Sequence, residues 1–198
     1  MFRHHLNLIG DIQNRLKLSK FVCQTLEAYS HESITSDIGF EIADVYLKLG
    51  NCYLKTQDYL AARSTYLKML ESLQNLEALP NQQRQLAIAS TYHNLGIVAQ
   101  ELREFEQART DYQQALQIFI EFNDRYSQAG TYHQLGIVAQ ELREFEEART
   151  HYQQALQIYI EFNDRYSQAG TYPNLGVVAQ ALREFEQART NYQQALQI

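Results

Sequence analysis

Residues 93–132 read HNLGIVAQELREFEQARTDYQQALQIFIEFNDRYSQAGTY, and residues 133–172 read HQLGIVAQELREFEEARTHYQQALQIYIEFNDRYSQAGTY. The two stretches align without gaps and differ at four places: Asn94/Gln134, Gln107/Glu147, Asp111/His151 and Phe119/Tyr159. The segment from Pro173 to Ile198 opens a third copy and stops part-way through it. Gly96, Gly136 and Gly176 set the period at 40 residues. Self-similarity at such a period means that each copy is one supersecondary unit, unable to bury its apolar face alone and stacked on its neighbours.

An older copy lies upstream. Tyr46, Leu49, Gly50, Tyr53, Ala62 and Tyr66 keep the internal spacing of Tyr92, Leu95, Gly96, Ala99, Ala108 and Tyr112. Gly50 and Gly96 are 46 residues apart, so this copy carries six extra residues. They are expected near Leu79-Pro80-Asn81, where Pro80 interrupts a helix. Repeats therefore start near residues 43, 89, 129 and 169, the last one truncated.

Within one unit the apolar pattern is helical. Tyr132, Leu135, Gly136, Ala139 and Leu142 recur at three- and four-residue steps, which puts them on one face. After the polar turn Arg143-Glu144 a second stripe follows, Phe145, Ala148, Tyr152, Ala155, Leu156 and Tyr159, ending near Phe162-Asn163-Asp164. Asn163 or Asp164 is the expected N-cap of the next helix, its side-chain oxygen accepting from free backbone N–H groups. Gly136 and Ala148 are the small residues at which two helix backbones come close, with Tyr132 and Tyr152 filling the space beside them. Pro173 stands where the previous copy has His133, inside a predicted first helix. It is expected to start that helix later or to bend it.

At these residues a family resemblance emerges. The order aromatic-x2-Leu-Gly-x2-Tyr, then Ala-x3-aromatic, is similar to the tetratricopeptide repeat, most closely at Tyr46, Leu49, Gly50, Tyr53, Ala62 and Tyr66. The later copies match at Tyr92/Tyr132/Tyr172, Leu95/Leu135/Leu175, Gly96/Gly136/Gly176, Ala108/Ala148/Ala188, Tyr112/Tyr152/Tyr192 and Ala115/Ala155/Ala195. They depart at Ala99, Ala139 and Ala179, where the family commonly has Tyr. They also lack its closing proline and exceed its usual length, and in this they resemble the kinesin-light-chain-like branch. HEAT and armadillo repeats have a similar period but do not need this Gly/Ala spacing.

The resemblance implies an all-α fold, an α-solenoid of antiparallel helix pairs wound as a right-handed superhelix, over residues 37–198. Residues 1–36 do not match; Leu16, Phe21, Val22, Leu26 and Tyr29 suggest an amphipathic helix capping the array, followed by a linker over 30–37. The resemblance also implies protein or peptide binding on first-helix positions lining a concave groove. Carried over, these are His93, Asn94, Ile97, Gln100 and Glu101, then His133, Gln134, Ile137, Gln140 and Glu141, then Asn174, Val177 and Gln180. Asn94, Gln134 and Asn174 form a ladder of amides, able to donate to and accept from a peptide backbone. The basic clamp that some family members use for a C-terminal carboxylate is missing.

Composition narrows the function classes. A net charge of −6 lacks the basic face that nucleic-acid phosphates need and gives no attraction to anionic lipid. No apolar run approaches the roughly 20 residues of a membrane span, and the first ten residues lack the apolar core of a secretory signal. The two cysteines, Cys23 and Cys52, have no metal-ligand spacing and fit packing roles in a reducing compartment. A cytoplasmic protein is expected. Stacked first helices lie roughly 8–10 Å apart, too far for His93 and His133 to share a zinc. Neither a phosphate-cradling loop nor a nucleophile elbow is present in the sequence, so no enzyme activity, cofactor or metal is expected. The expected function is a scaffold or adaptor; the alternative is the sensor arm of a larger signalling protein with a nucleotide-driven (STAND-type) switch. The C-terminal end lacks a polar capping helix, so the chain is expected either to be a fragment of a longer array or to pair with another copy through its open end.

Overall fold

The computed structural model describes residues 36–75 and 81–198, together with Lys17 and Lys20. Most of the expected N-terminal cap and linker, Cys23 and Pro80 lie outside the described residues. Among the described residues there are eight helices and no strand: α1 (Ser36–Lys55), α2 (Tyr59–Asn75), α3 (Asn81–Glu101), α4 (Phe105–Glu121), α5 (Arg125–Glu141), α6 (Phe145–Glu161), α7 (Arg165–Ala181) and α8 (Phe185–Gln197). The chain divides into two compact units between Leu102 and Arg103, the first holding α1–α3 and the second α4–α8. Within each unit successive helices pack as antiparallel neighbours.

The three-residue turns explain the sharp reversals. At the end of α5, Arg143 N–H donates to Gln140 O at 3.0 Å and Glu144 N–H to Ala139 O at 2.8 Å. This is the Schellman pattern, which uses the last free carbonyls and requires a left-handed residue between. Arg143 supplies it at φ 63°. The same pair of bonds closes α1 through Gln57 and Asp58, α4 through Asn123 and Asp124, α6 through Asn163 and Asp164, and α7 through Arg183 and Glu184. The residue after the left-handed one takes the N-cap position of the next helix, and its side chain caps where it is Asp but not where it is Glu104, Glu144 or Glu184. Asp124 accepts from Ser127 N–H at 3.1 Å and Asp164 from Ser167 N–H at 3.0 Å. Of the two expected caps, Asp164 therefore caps and Asn163 makes the reversal.

The core follows the expected notches. A Cβ placed on Gly50 would lie 2.4 Å from the Tyr66 ring, on Gly136 2.6 Å from Tyr152, and on Gly176 2.5 Å from Tyr192. Each ring thus occupies the space that the missing side chain leaves. In the first unit Ala62, Tyr66, Leu95 and Val98 form a buried cluster, flanked by Tyr53 and Leu102. In the second unit Ala139, Ala148, Tyr152, Leu175 and Val178 form its counterpart. Ala129, Ala155, Ile158 and Tyr159 make another cluster there. Cys52 is buried with a free thiol, in keeping with a packing role. Polar stitches hold consecutive repeats in register. Gln128 Nε2 donates to Phe119 O at 2.9 Å, and Gln168 Nε2 to Tyr159 O at 3.0 Å.

Two local features of the repeats can be located on the helices. Four of the six extra residues lengthen α3, which has 21 residues against 17 in α5 and starts at Asn81, in the stretch where they are expected. The run Asn81-Gln-Gln-Arg-Gln consists largely of good helix formers and extends the helix backward from its apolar stripe. Pro173 does not delay its helix: α7 spans 17 residues, the same as α5, with Pro173 inside. The Asp164 cap starts the helix eight residues earlier, so the proline costs one backbone bond within an already formed helix.

Candidate functional site

The expected first-helix residues flank the buried stripe of each first helix. On α5, Leu135, Gly136, Val138 and Ala139 turn into the core, while His133, Gln134, Ile137 and Gln140 are half-buried and Glu141 is exposed. On α7, Asn174 is half-buried and Val177 and Gln180 are exposed. In the first unit α3 repeats the arrangement, with His93, Asn94, Ile97 and Gln100 half-buried and Glu101 exposed.

The structure brings some of these together. Asn174 Nδ2 donates to His133 Nε2 at 2.9 Å, which places the imidazole proton on Nδ1, 3.5 Å from Thr171 Oγ1. Burial holds the His133 pKa below the usual histidine value, and it pushes His93 down to about 4. Gln140 Oε1 accepts from Tyr152 at 3.3 Å and Gln180 Oε1 from Tyr192 at 2.9 Å, so each of these amides holds the tyrosine of its repeat's Gly–Tyr notch. Glu141 lies 3.9 Å from Arg103, and Glu101 accepts from Tyr59 at 3.0 Å. Ile137 is partly core, packed against the Ala139–Tyr152 cluster. Gln134 Oε1 is buried without a hydrogen-bond partner, an acceptor whose lost hydration nothing offsets. Of the expected amide ladder, Gln134 and Asn174 lie in the second unit and Asn94 in the first.

A second set of polar residues was hidden in the sequence. Three pairs four residues apart on second helices are bonded side chain to side chain: Gln107 to Asp111 at 3.0 Å, Glu147 to His151 at 3.4 Å, and Gln187 to Asn191 at 3.3 Å. His151 also stacks on Tyr132, with ring centroids 6.0 Å apart. Both members of the pair change between copies, and a spacing of four on a helix predicts contact. That was the available signal. Among the described residues no group of three or more His, Cys, Asp or Glu is placed to hold a metal ion.

Fold and surface together define a helix-pair repeat module that presents half-buried polar side chains on its first helices. The chain belongs to the tetratricopeptide repeat family, whose sequence profile matches residues 41–121, 87–161 and 127–198. No curated protein matches the sequence. Among solved structures it is similar to BtubC (BKLC) from P. vanneervenii, with 20% identity and a TM-score of 0.76, over 94% of this chain and 73% of that one. It is also similar to a putative kinesin light chain with nearly identical repeats from Podospora anserina, at 14% identity and a TM-score of 0.73, over 97% and 88% of the two chains. A STAND signal transduction ATPase with a tetratricopeptide repeat sensor from Pyrococcus horikoshii shares 14% identity and a TM-score of 0.72, over 96% of this chain but 28% of that one. Among the described residues no helix is long and apolar enough to cross a membrane.

Proposed function

We propose that the chain is a cytoplasmic protein-interaction scaffold that binds an extended peptide or a helix on the α5 and α7 faces. His133, Gln134, Ile137, Gln140 and Glu141 act with Asn174, Val177 and Gln180. The α3 face of the first unit presents the same residue types in His93, Asn94, Ile97, Gln100 and Glu101. No step of this reading needs catalysis.

The observation that carries it is where the copies differ. Residues 133–158 and 173–198 differ at six positions. Four of them, His133/Pro173, Gln134/Asn174, Ile137/Val177 and Glu141/Ala181, lie on the first-helix face. Exposed second-helix residues such as Gln153/Gln193, Gln154/Gln194 and Thr150/Thr190 are unchanged, although solvation alone would let them drift. The other two, Glu147/Gln187 and His151/Asn191, lie on the second helices, so the first-helix face carries most of the change, which fits a surface that reads a ligand. Gln134 adds to this, because its buried Oε1 has no hydrogen-bond partner within the chain and can accept from a ligand.

The test is an affinity capture with the wild type beside an Asn94→Ala/Gln134→Ala/Asn174→Ala variant of equal helicity. Partners lost from the variant support the reading; equal retention by both rejects the amides. A second reading makes the array the sensor arm of a larger signalling protein, favoured by the likeness to the STAND sensor, of which it matches only a part. A phosphate-binding loop encoded in the same reading frame would support it. Self-association would use the exposed Tyr166, Phe185 and Leu196, and light scattering over a concentration series reports on it.

A further inference from the structure

A cleft of about 190 Å³ lies in the second unit, away from the first-helix face. Arg149 and Gln153 of α6, Leu175 and Ala179 of α7, Gln187 and Asn191 of α8, and Glu184 of the last turn line it. We propose that this cleft takes one tyrosine side chain of a partner peptide, with its ring on Leu175 and Ala179 and its hydroxyl among the amides of the rim.

Size sets the first constraint. A cavity of about 150 Å³ admits benzene, so the cleft is large enough for one aromatic ring. Leu175 and Ala179 form its floor, both largely covered by the fold, and the rest of its lining is polar. Ala179 stands where the first repeat has Tyr53, whose half-buried ring packs against Ala62, Tyr66, Leu95 and Val98. The fold accommodates a ring rooted at that station, and α7 does not supply one.

The rim sets the second constraint. Gln187 Nε2 donates to Asn191 Oδ1, a bond that uses neither Gln187 Oε1 nor Asn191 Nδ2. One acceptor and one donor suit a phenol, which both gives and takes a hydrogen bond. The chain seats its own tyrosines in this way: Tyr66 bonds Asn51 at 2.8 Å, and Tyr152 and Tyr192 bond Gln140 and Gln180. Charge sets the third. Arg149 bonds Glu146 and Glu184, each at 3.1 Å, so its cation is already balanced and a neutral ligand is favoured over a phosphorylated one.

The copies agree. Leu135/Leu175 and Ala139/Ala179 repeat the floor, and the Arg109–Glu144 and Arg149–Glu184 pairs repeat the frame. Of the lining positions only the rim pair differs from the preceding copy, Gln187/Asn191 standing where that copy has Glu147/His151. This site stands without the first-helix reading.

The experiment titrates the isotope-labelled full chain with N-acetyl-tyrosinamide, N-acetyl-phenylalaninamide and N-acetyl-leucinamide, following the side-chain amide signals of Gln153, Gln187 and Asn191 by NMR. The tyrosine compound is expected to give saturable shifts at about millimolar concentration, at least threefold tighter than phenylalanine, with none from leucine. Ala179→Tyr should fill the cleft and abolish the shifts. Asn191→Leu, a rim change, should bring tyrosine down to the phenylalanine level, which keeps the test decisive if Ala179→Tyr does not fold. Absence of saturation with tyrosine, equal shifts from leucine, or shifts that survive in Ala179→Tyr would each overturn the proposal. None of these outcomes depends on whether the first-helix face binds a peptide.

Discussion

Gly136 and Tyr152 occupy one shared space: a Cβ on the glycine would sit 2.6 Å from the tyrosine ring, and that ring is fully buried. The ring cannot retreat, because Ala139, Ala148, Leu175 and Val178 close around it. The nesting of α5 on α6 therefore depends on an absent side chain.

Gly136→Ala is expected to destabilise the chain by roughly 1–3 kcal/mol through overpacking, and Gly136→Leu at least as much. Gly130 and Gly170 are internal controls, since a Cβ there meets nothing within 4 Å. Gly130→Ala and Gly170→Ala should each stabilise by about 0.5–1 kcal/mol, because helical glycine loses more backbone freedom than alanine. Tyr152→Ala should cost about 3–5 kcal/mol. Urea unfolding of the four alanine variants checks the order.

Left-handed turn positions predict the opposite sign. Arg143 and Arg183 both sit at φ 63°, a conformation that costs a residue with a Cβ roughly 1–2 kcal/mol and that asparagine adopts more readily. Arg143→Asn and Arg183→Asn should each raise stability by about 0.5–1 kcal/mol, seen as higher melting temperatures. Arg103, at φ 61°, should gain less, because it also lies over the Phe105 ring at 5.5 Å and near Glu141.

These turns mark the boundary of what the sequence makes legible. The Gly–Tyr notch could be read because it is periodic and its two members are close in sequence. Asn163 carries a signal for the left-handed region, whereas Arg143 carries none; the reversal there is imposed by the packing of α5 on α6. Of the site, the first-helix face was legible by resemblance. The His133–Asn174 bond and the tyrosine-holding role of Gln140 required two helices at known distance. The cleft required three, α6, α7 and α8, so single-helix periodicity gives no sign of it.

Tyr126 and Tyr166 share a repeat position and differ in surroundings. Tyr126 donates to Asp164 at 2.8 Å and meets the Tyr159 and Phe162 rings edge-on, at 6.3 and 5.5 Å. Tyr166 is 91% exposed. Tyr126→Ala should cost about 1–2 kcal/mol from the aromatic contacts and the charge-assisted bond, and Tyr166→Ala less than about 0.5 kcal/mol. Thermal unfolding of the two variants measures the difference.

Histidine burial gives stability a pH dependence of defined sign. His93 is pushed down to about 4 from 6.5 by burial, and His133 is lowered in the same direction. Both favour the neutral form in the folded state, so their contribution is intact above pH 6.5 and is lost as pH falls toward 4. At pH 5.5 the loss from His93 is about 1 kcal/mol relative to pH 7.5, before carboxylates titrate. A His93→Gln/His133→Gln variant should show a flatter dependence over that interval in chemical denaturation.

The most direct measurement is calorimetric titration of a peptide, selected against the wild type from a random display library, into the wild type and into Gln134→Met/Asn174→Ala. Exchanging the orphaned buried amide of Gln134 for methionine should leave the fold at least as stable at that position. The account predicts affinity reduced tenfold or more, with the helicity of the variant unchanged. Equal affinity for the two proteins would contradict it.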